Sequence, residues 1–171
     1  MDSMTTDTQR TPPSNEALPV QTGLADEKRK ALAEGLARVL ADTYTLLGKT
    51  HGFHWNVTGH HFHSLHEMFQ DQYEDLTDAV DELAERIRAL GHFSPGSLSQ
   101  FLKLTSIEDE HGVPSADEMV RQLVRDNELV TRACREVVAI AQDAGDTVTE
   151  DLMNQRMAYH EKAAWMLRAS L

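Results

Sequence analysis

The sequence predicts an all-α protein built as a four-helix bundle, with one long connection between the second and third helices. Three observations lead there. Apolar residues recur at 3–4 residue spacing over four long stretches. Strand-like alternation is absent. Residues 92–113 hold Pro95, Gly96 and Gly112, whereas the other two breaks between helices are short.

Taken in order, residues 1–24 hold three of the five prolines, little charge and no periodic apolar pattern. They read as an extended tail, with the bundle occupying 25–171. The first helix is expected over Asp26–Asn56, with Leu32, Leu36, Val39, Leu40, Leu46 and Leu47 as its stripe. Val57-Thr58-Gly59 should break it. A second helix follows over about Phe62–Leu90, stopped by Gly91. On a helical wheel Phe62, Leu65, Phe69, Tyr73, Leu76, Val80, Leu83, Ile87 and Leu90 share one arc and form the predicted core face.

Within the connection, Ser97–Leu104 is apolar enough for a short helix. Pro114 and the box Ser115-x-x-Glu118 start the third long helix, with Met119, Leu123, Val130, Cys134, Val137 and Ala141 facing inward. Asp143–Asp146 reads as a turn. Thr147-x-x-Glu150 is expected to cap the last helix, which reaches Leu171. One crossover linking two antiparallel pairs is the layout of a ferritin-like bundle.

At 171 residues the chain suits one domain with a single core. No apolar run approaches the ~18–20 residues of a membrane span, and no signal-peptide pattern is visible. With a single cysteine, Cys134, no internal disulfide can form, and a cytoplasmic protein is expected, with nucleoid association as a variant of that location. The net charge is −12, which repels nucleic acid and anionic membranes and attracts cations. Only five of the 16 basic residues are lysine, a balance that also fits a protein adapted to high salt.

The chemistry concentrates in residues 51–91. Six of the nine histidines lie between His51 and His66, and a carboxylate-rich helix follows. Imidazole nitrogen and carboxylate oxygen together suit iron, manganese or zinc. Beside the core arc of the second helix lies a polar arc of His66, Gln70, Glu74, Thr77, Asp81 and Glu85. Asp81 and Glu85 stand four residues apart, where like charges repel unless a cation sits between them. Fifteen residues separate His66 from Asp81, a rise of roughly 22 Å at 1.5 Å per residue, so one ion cannot bind both within one chain. If two copies of this helix pair antiparallel about a two-fold axis near Glu74–Leu76, His66 of one meets Asp81 and Glu85 of the other. A di-iron site inside one bundle needs Glu-x-x-His on two helices. Here the only such spacing, Glu108/His111, falls in the connection.

His54-Trp55-Asn56-Val57-x-Gly59, Phe62, Leu65-His66-Glu67 and Val80-Asp81-x-x-Ala84-Glu85-Arg86 resemble the signature of the Dps proteins, the miniferritins named as DNA-binding proteins from starved cells. The resemblance implies a hollow homododecamer that oxidises Fe(II), preferably with hydrogen peroxide rather than O2, at two-fold interfaces. It implies storage of the Fe(III) mineral inside and protection of DNA from oxidative damage. By position, His54 and His66 would be ligands from one subunit and Asp81 and Glu85 from its partner, with zinc or manganese able to substitute for iron. Trp55 would stand beside the centre and take up oxidising equivalents; plain core packing is the alternative. Where the family commonly has an acidic ligand four residues after His66, this chain has Gln70. An amide is a weaker, neutral donor, so either the first iron is held with less negative charge or a second iron binds poorly. Glu74 is an outer partner. Asp146 and Asp151 resemble the acidic lining of three-fold pores.

His51 suits helix packing or support of the centre. His60, His61 and His63 exceed the motif and read as solvated loop residues or as an additional surface metal site. Two other functions remain open from sequence. One is a nucleoid-compacting DNA binder, disfavoured by a tail with Arg10, no lysine, and Asp2, Asp7 and Glu16. The other is a non-redox zinc-binding bundle.

Overall fold

The computed structural model describes residues 19–171. They form α1 (Asp26–Asn56), α2 (Phe62–Ala89), the short α3 (Leu98–Leu104), α4 (Ala116–Ala144) and α5 (Thr147–Arg168), with no strand among the described residues. Most of the expected tail, residues 1–18, lies outside this range. Its end rests on the body: Leu24 packs against the core, and Val20 lies close beside Gly91.

α1 pairs with α2 and α4 with α5, α1 and α4 join the two hairpins, and α2 barely touches α5. The core forms where the stripes meet. Leu32, Leu36, Val39, Leu40 and Leu46 of α1 are buried, as are Met119, Leu123, Val130, Cys134, Val137 and Ala141 of α4. From α2 come Leu65, Phe69, Leu76, Leu83 and Ile87. Phe62 is a correction to the expected stripe. It sits in the first turn of α2, 45% exposed, stacked on His66 with ring centroids 5.1 Å apart. Leu65 in the same turn is buried while the Phe62 ring lies toward solvent, so the arc overstates burial at its edge.

Local signals set most boundaries. Gly91 follows α2 at φ +91°, and the His92 N–H donates to the Ile87 carbonyl across it, a left-handed stop that only glycine adopts easily. A Cβ there would also strike Val20 and Arg29. Ser115 caps α4 by accepting from Glu118 N–H. The cap of α5 is Asp146, whose carboxylate accepts from Thr149 N–H at 3.2 Å, and not Thr147, which is already helical. An acid capping with its own side chain competes well with a threonine one step later.

The connection is pinned at its middle. Ser97 and Gln100 make a capping box on α3, and Phe101 turns inward to stack on Tyr44 with centroids 4.4 Å apart. Buried Asp42 on α1 accepts from Thr105 Oγ1 at 2.9 Å and Ser106 N–H at 2.6 Å. Burial raises the Asp42 carboxyl above its usual range, and these hydrogen bonds oppose the rise. Long loops need such anchors to satisfy their backbone.

Candidate metal centre

The turn at residues 57–61 folds α2 back along α1, so that His54, in the last turn of α1, faces His66, in the second turn of α2. Their rings stack with centroids 3.8 Å apart and planes 17° from parallel. His54 Nδ1 lies 2.8 Å from the His66 carbonyl, and His66 Nδ1 lies 2.8 Å from the His54 carbonyl. A carbonyl only accepts, so each Nδ1 carries the proton and donates it. In the neutral ring that leaves Nε2 with a free lone pair, the tautomer a metal-binding imidazole needs. Two histidines thus fix each other's tautomer through backbone contacts alone.

Aromatic rings continue outward from this pair. Tyr73 meets His54 edge-on at 5.1 Å and stacks on His51 at 4.1 Å, and His51 lies 4.2 Å from Trp55. Trp55 is 66% exposed, which removes plain core packing as its explanation. His51 is a packing residue between Trp55 and Tyr73.

Along the polar arc, Gln70 is half-buried and donates through Nε2 to Glu74 Oε1 at 2.8 Å. Asp81 and Glu85 are exposed on α2. Among the described residues no three His, Cys, Asp or Glu side chains come together in a way that could hold a metal within one chain. The structure therefore unites His54 with His66 and leaves Asp81 and Glu85 well along the same helix.

The remaining expected site residues divide. His60, His61 and His63 are exposed at the start of α2, and His63 pairs only with Glu67, at 3.4 Å. Glu108 and His111 are exposed in the connection. Asp151 is exposed and accepts from Gln155 at 2.8 Å. Asp146 is a correction: 4% exposed, it accepts from Arg86 Nη2 at 2.7 Å while capping α5, so its carboxylate is not free to line a pore. Burial by itself would raise its carboxyl, but hydrogen bonds from Thr149 and Arg86 hold it below the usual carboxylate range.

Sequence reasoning missed Arg86 as the partner of Asp146, Tyr73 as a ring beside the histidines, and the Gln70–Glu74 contact. Only the last carried a signal, because i,i+4 amide–carboxylate pairs meet on a helix. No helix among the described residues is long and apolar enough to cross a membrane.

Comparison with known proteins agrees with the helical fold. Residues 33–171 match the profile of the ferritin-like domain. The chain is 42% identical over 152 residues to a low temperature-induced protein of Nostoc, covering 88% of this chain and 85% of that one. It is 36% identical over 142 residues to DNA protection during starvation protein 2 of Bacillus anthracis, covering 83% and 97%. Among solved structures, the Dps protein of Vibrio cholerae, described as belonging to a superfamily of ferritin-like diiron-carboxylate proteins, superposes with a TM-score of 0.82 at 32% identity, over 85% of this chain and 92% of that one. The chain belongs to the Dps family of ferritin-like proteins.

Proposed function

We propose that this protein oxidises Fe(II) and stores the Fe(III) product, protecting DNA by removing iron and peroxide together. The observation that carries the reading is the reciprocal Nδ1–carbonyl pairing of His54 and His66, which keeps two imidazole Nε2 atoms available side by side. Fe(II) is the substrate. It is held by His54 and His66 of one subunit together with Asp81 and Glu85 of a second, the two copies of α2 crossing about a two-fold axis near Glu74–Leu76. Two carboxylates neutralise the dication, and they favour Fe(III) over Fe(II) because the higher charge gains more from them. Each ion gives up one electron. Reducing one peroxide to two hydroxide ions, with its O–O bond broken, takes two electrons: one comes from the bound ion and the second from Trp55, which a further Fe(II) then re-reduces.

Trp55 stands exposed beside the histidines, where a partner subunit would cover it and where it is placed to donate an electron. Two-fold pairs repeated into a hollow dodecamer would enclose the mineral, and Asp151 is the exposed carboxylate available to guide iron inward. Zinc or manganese fit the same donors as stand-ins.

The test is anaerobic loading with Fe(II) followed by hydrogen peroxide, read by absorbance of the Fe(III) product, alongside light scattering for the assembled mass. The Asp81→Asn/Glu85→Gln variant, altered only at exposed positions, should oxidise iron at least about tenfold more slowly. Wild-type oxidation no faster than buffer would leave a zinc-binding bundle without redox chemistry and end the proposal.

A further inference from the structure

Gln70 and Glu74 meet on the polar arc of α2, one and two turns beyond His66. His66, Gln70 and Glu74 stand at successive turns of α2 on one face. Glu74 can only accept, so the 2.8 Å bond from Gln70 Nε2 places the amide NH2 on the Glu74 side and leaves Oε1 as the free oxygen. Gln70 therefore offers a neutral donor one turn from His66. The next carboxylate on this face of the helix, Glu74, is occupied in holding it.

Count the charges on that basis. One subunit supplies two imidazoles and an amide oxygen, all neutral, and the partner supplies two carboxylates. Two negative charges balance one divalent ion. A second dication ~4 Å away, the usual separation in two-metal sites, would carry its full charge against the first with no carboxylate left to offset it. Inside a partly dehydrated interface that repulsion is strong.

We infer that Gln70 makes each centre mononuclear for divalent ions, and that Glu74 is a positioning residue that fixes the amide so that its oxygen is presented. The inference rests on the proposed two-fold centre and deepens it. The amide limits the site to one ion without weakening the two histidines, because it leaves their backbone contacts untouched.

The probe is Co(II), which does not undergo the reaction and whose visible bands report coordination by nitrogen and oxygen. The metal-free assembled protein is titrated without oxygen, and the ions attributed to the centre are those lost in the Asp81→Asn/Glu85→Gln variant. Wild type should lose one Co(II) per chain by this measure, and Gln70→Glu, referred to the same variant, should bind two. Glu74→Ala should keep the stoichiometry of one and bind about tenfold more weakly, the usual cost of removing a residue that orients a ligand.

A wild-type loss of two ions per chain, or a Gln70→Glu protein that stays at one, overturns the mononuclear assignment. Unchanged affinity in Glu74→Ala overturns the positioning role. An Asp81→Asn/Glu85→Gln protein that binds as many ions as wild type would overturn the shared centre itself, a result distinguishable from either of the others.

Discussion

Lys49 and Asp126 face each other between α1 and α4, Nζ 2.7 Å from Oδ2, with both side chains almost out of water. Burial raises the Asp126 carboxyl, and the hydrogen bond from Lys49 opposes the rise. A pair of this kind contributes little net stability, because desolvation of both charges offsets their attraction, but breaking it strands a charge. Lys49→Met should therefore cost about 3–5 kcal/mol at neutral pH. The Lys49→Met/Asp126→Leu double variant should recover most of it. Urea unfolding at fixed protein concentration measures both. The sign with pH is definite: as acid protonates the stranded Asp126, the deficit of the single variant should narrow.

Asp146 does two jobs, capping α5 and receiving Arg86 from α2. Asp146→Ala removes the cap and leaves Arg86 unpaired, an expected loss of about 2–4 kcal/mol. The native carboxyl titrates below its unfolded value, so its stabilisation is fully present above about pH 4 and is lost as the pH falls through the lowered native value. Unfolding curves for the variant and the wild type should differ most near neutrality and converge in acid. Equal stability at pH 7 would contradict the assignment.

His160 is fully buried on α5, its Nδ1 2.8 Å from Asn127 Oδ1. Burial, with Arg156 nearby, pushes the imidazole down from 6.5 to about 3. The unfolded chain takes up a proton near pH 6.5 that the native state refuses. This contribution is complete above that pH and is lost as the pH falls toward the native value. In that window the wild type should lose about 1.4 kcal/mol per pH unit from this one group. His160→Gln should show a slope shallower by that amount between pH 6 and pH 4, and an identical slope would refute the prediction.

Direct binding to DNA should be weak despite the family's naming. The net charge is −12, and the first 24 residues contain Arg10 and no lysine. Too few cations are available to displace counterions from phosphate. A gel-shift assay at low salt should show no retarded band at micromolar protein, and tight binding there would mean that the acidic composition misleads.

The helices, their order, the glycine stop after α2, the Ser115 cap and the inward faces of α1 and α4 were legible in the sequence. Each depends on hydrogen bonds and side-chain neighbours within about four residues. The motif resemblance named His54 and His66 as a pair, and the structure brings their rings together; the part given to Asp81 and Glu85 of a second chain is a proposal. What the sequence could not show depends on partners far along the chain. Asp146 reads as an acid at a helix start until Arg86, 60 residues earlier, proves to occupy it. Lys49 and Asp126 are 77 residues apart, and Asp42 reaches Ser106 across 64. Phe62 belongs to the apolar arc by periodicity, yet its ring stays 45% exposed beside the buried Leu65. The clearest case is His54 with His66. The sequence by itself determined that two imidazoles would flank a turn. Only the antiparallel packing of α1 on α2 brought each Nδ1 onto the other's carbonyl, and that contact leaves the proton off both Nε2 atoms of the neutral rings.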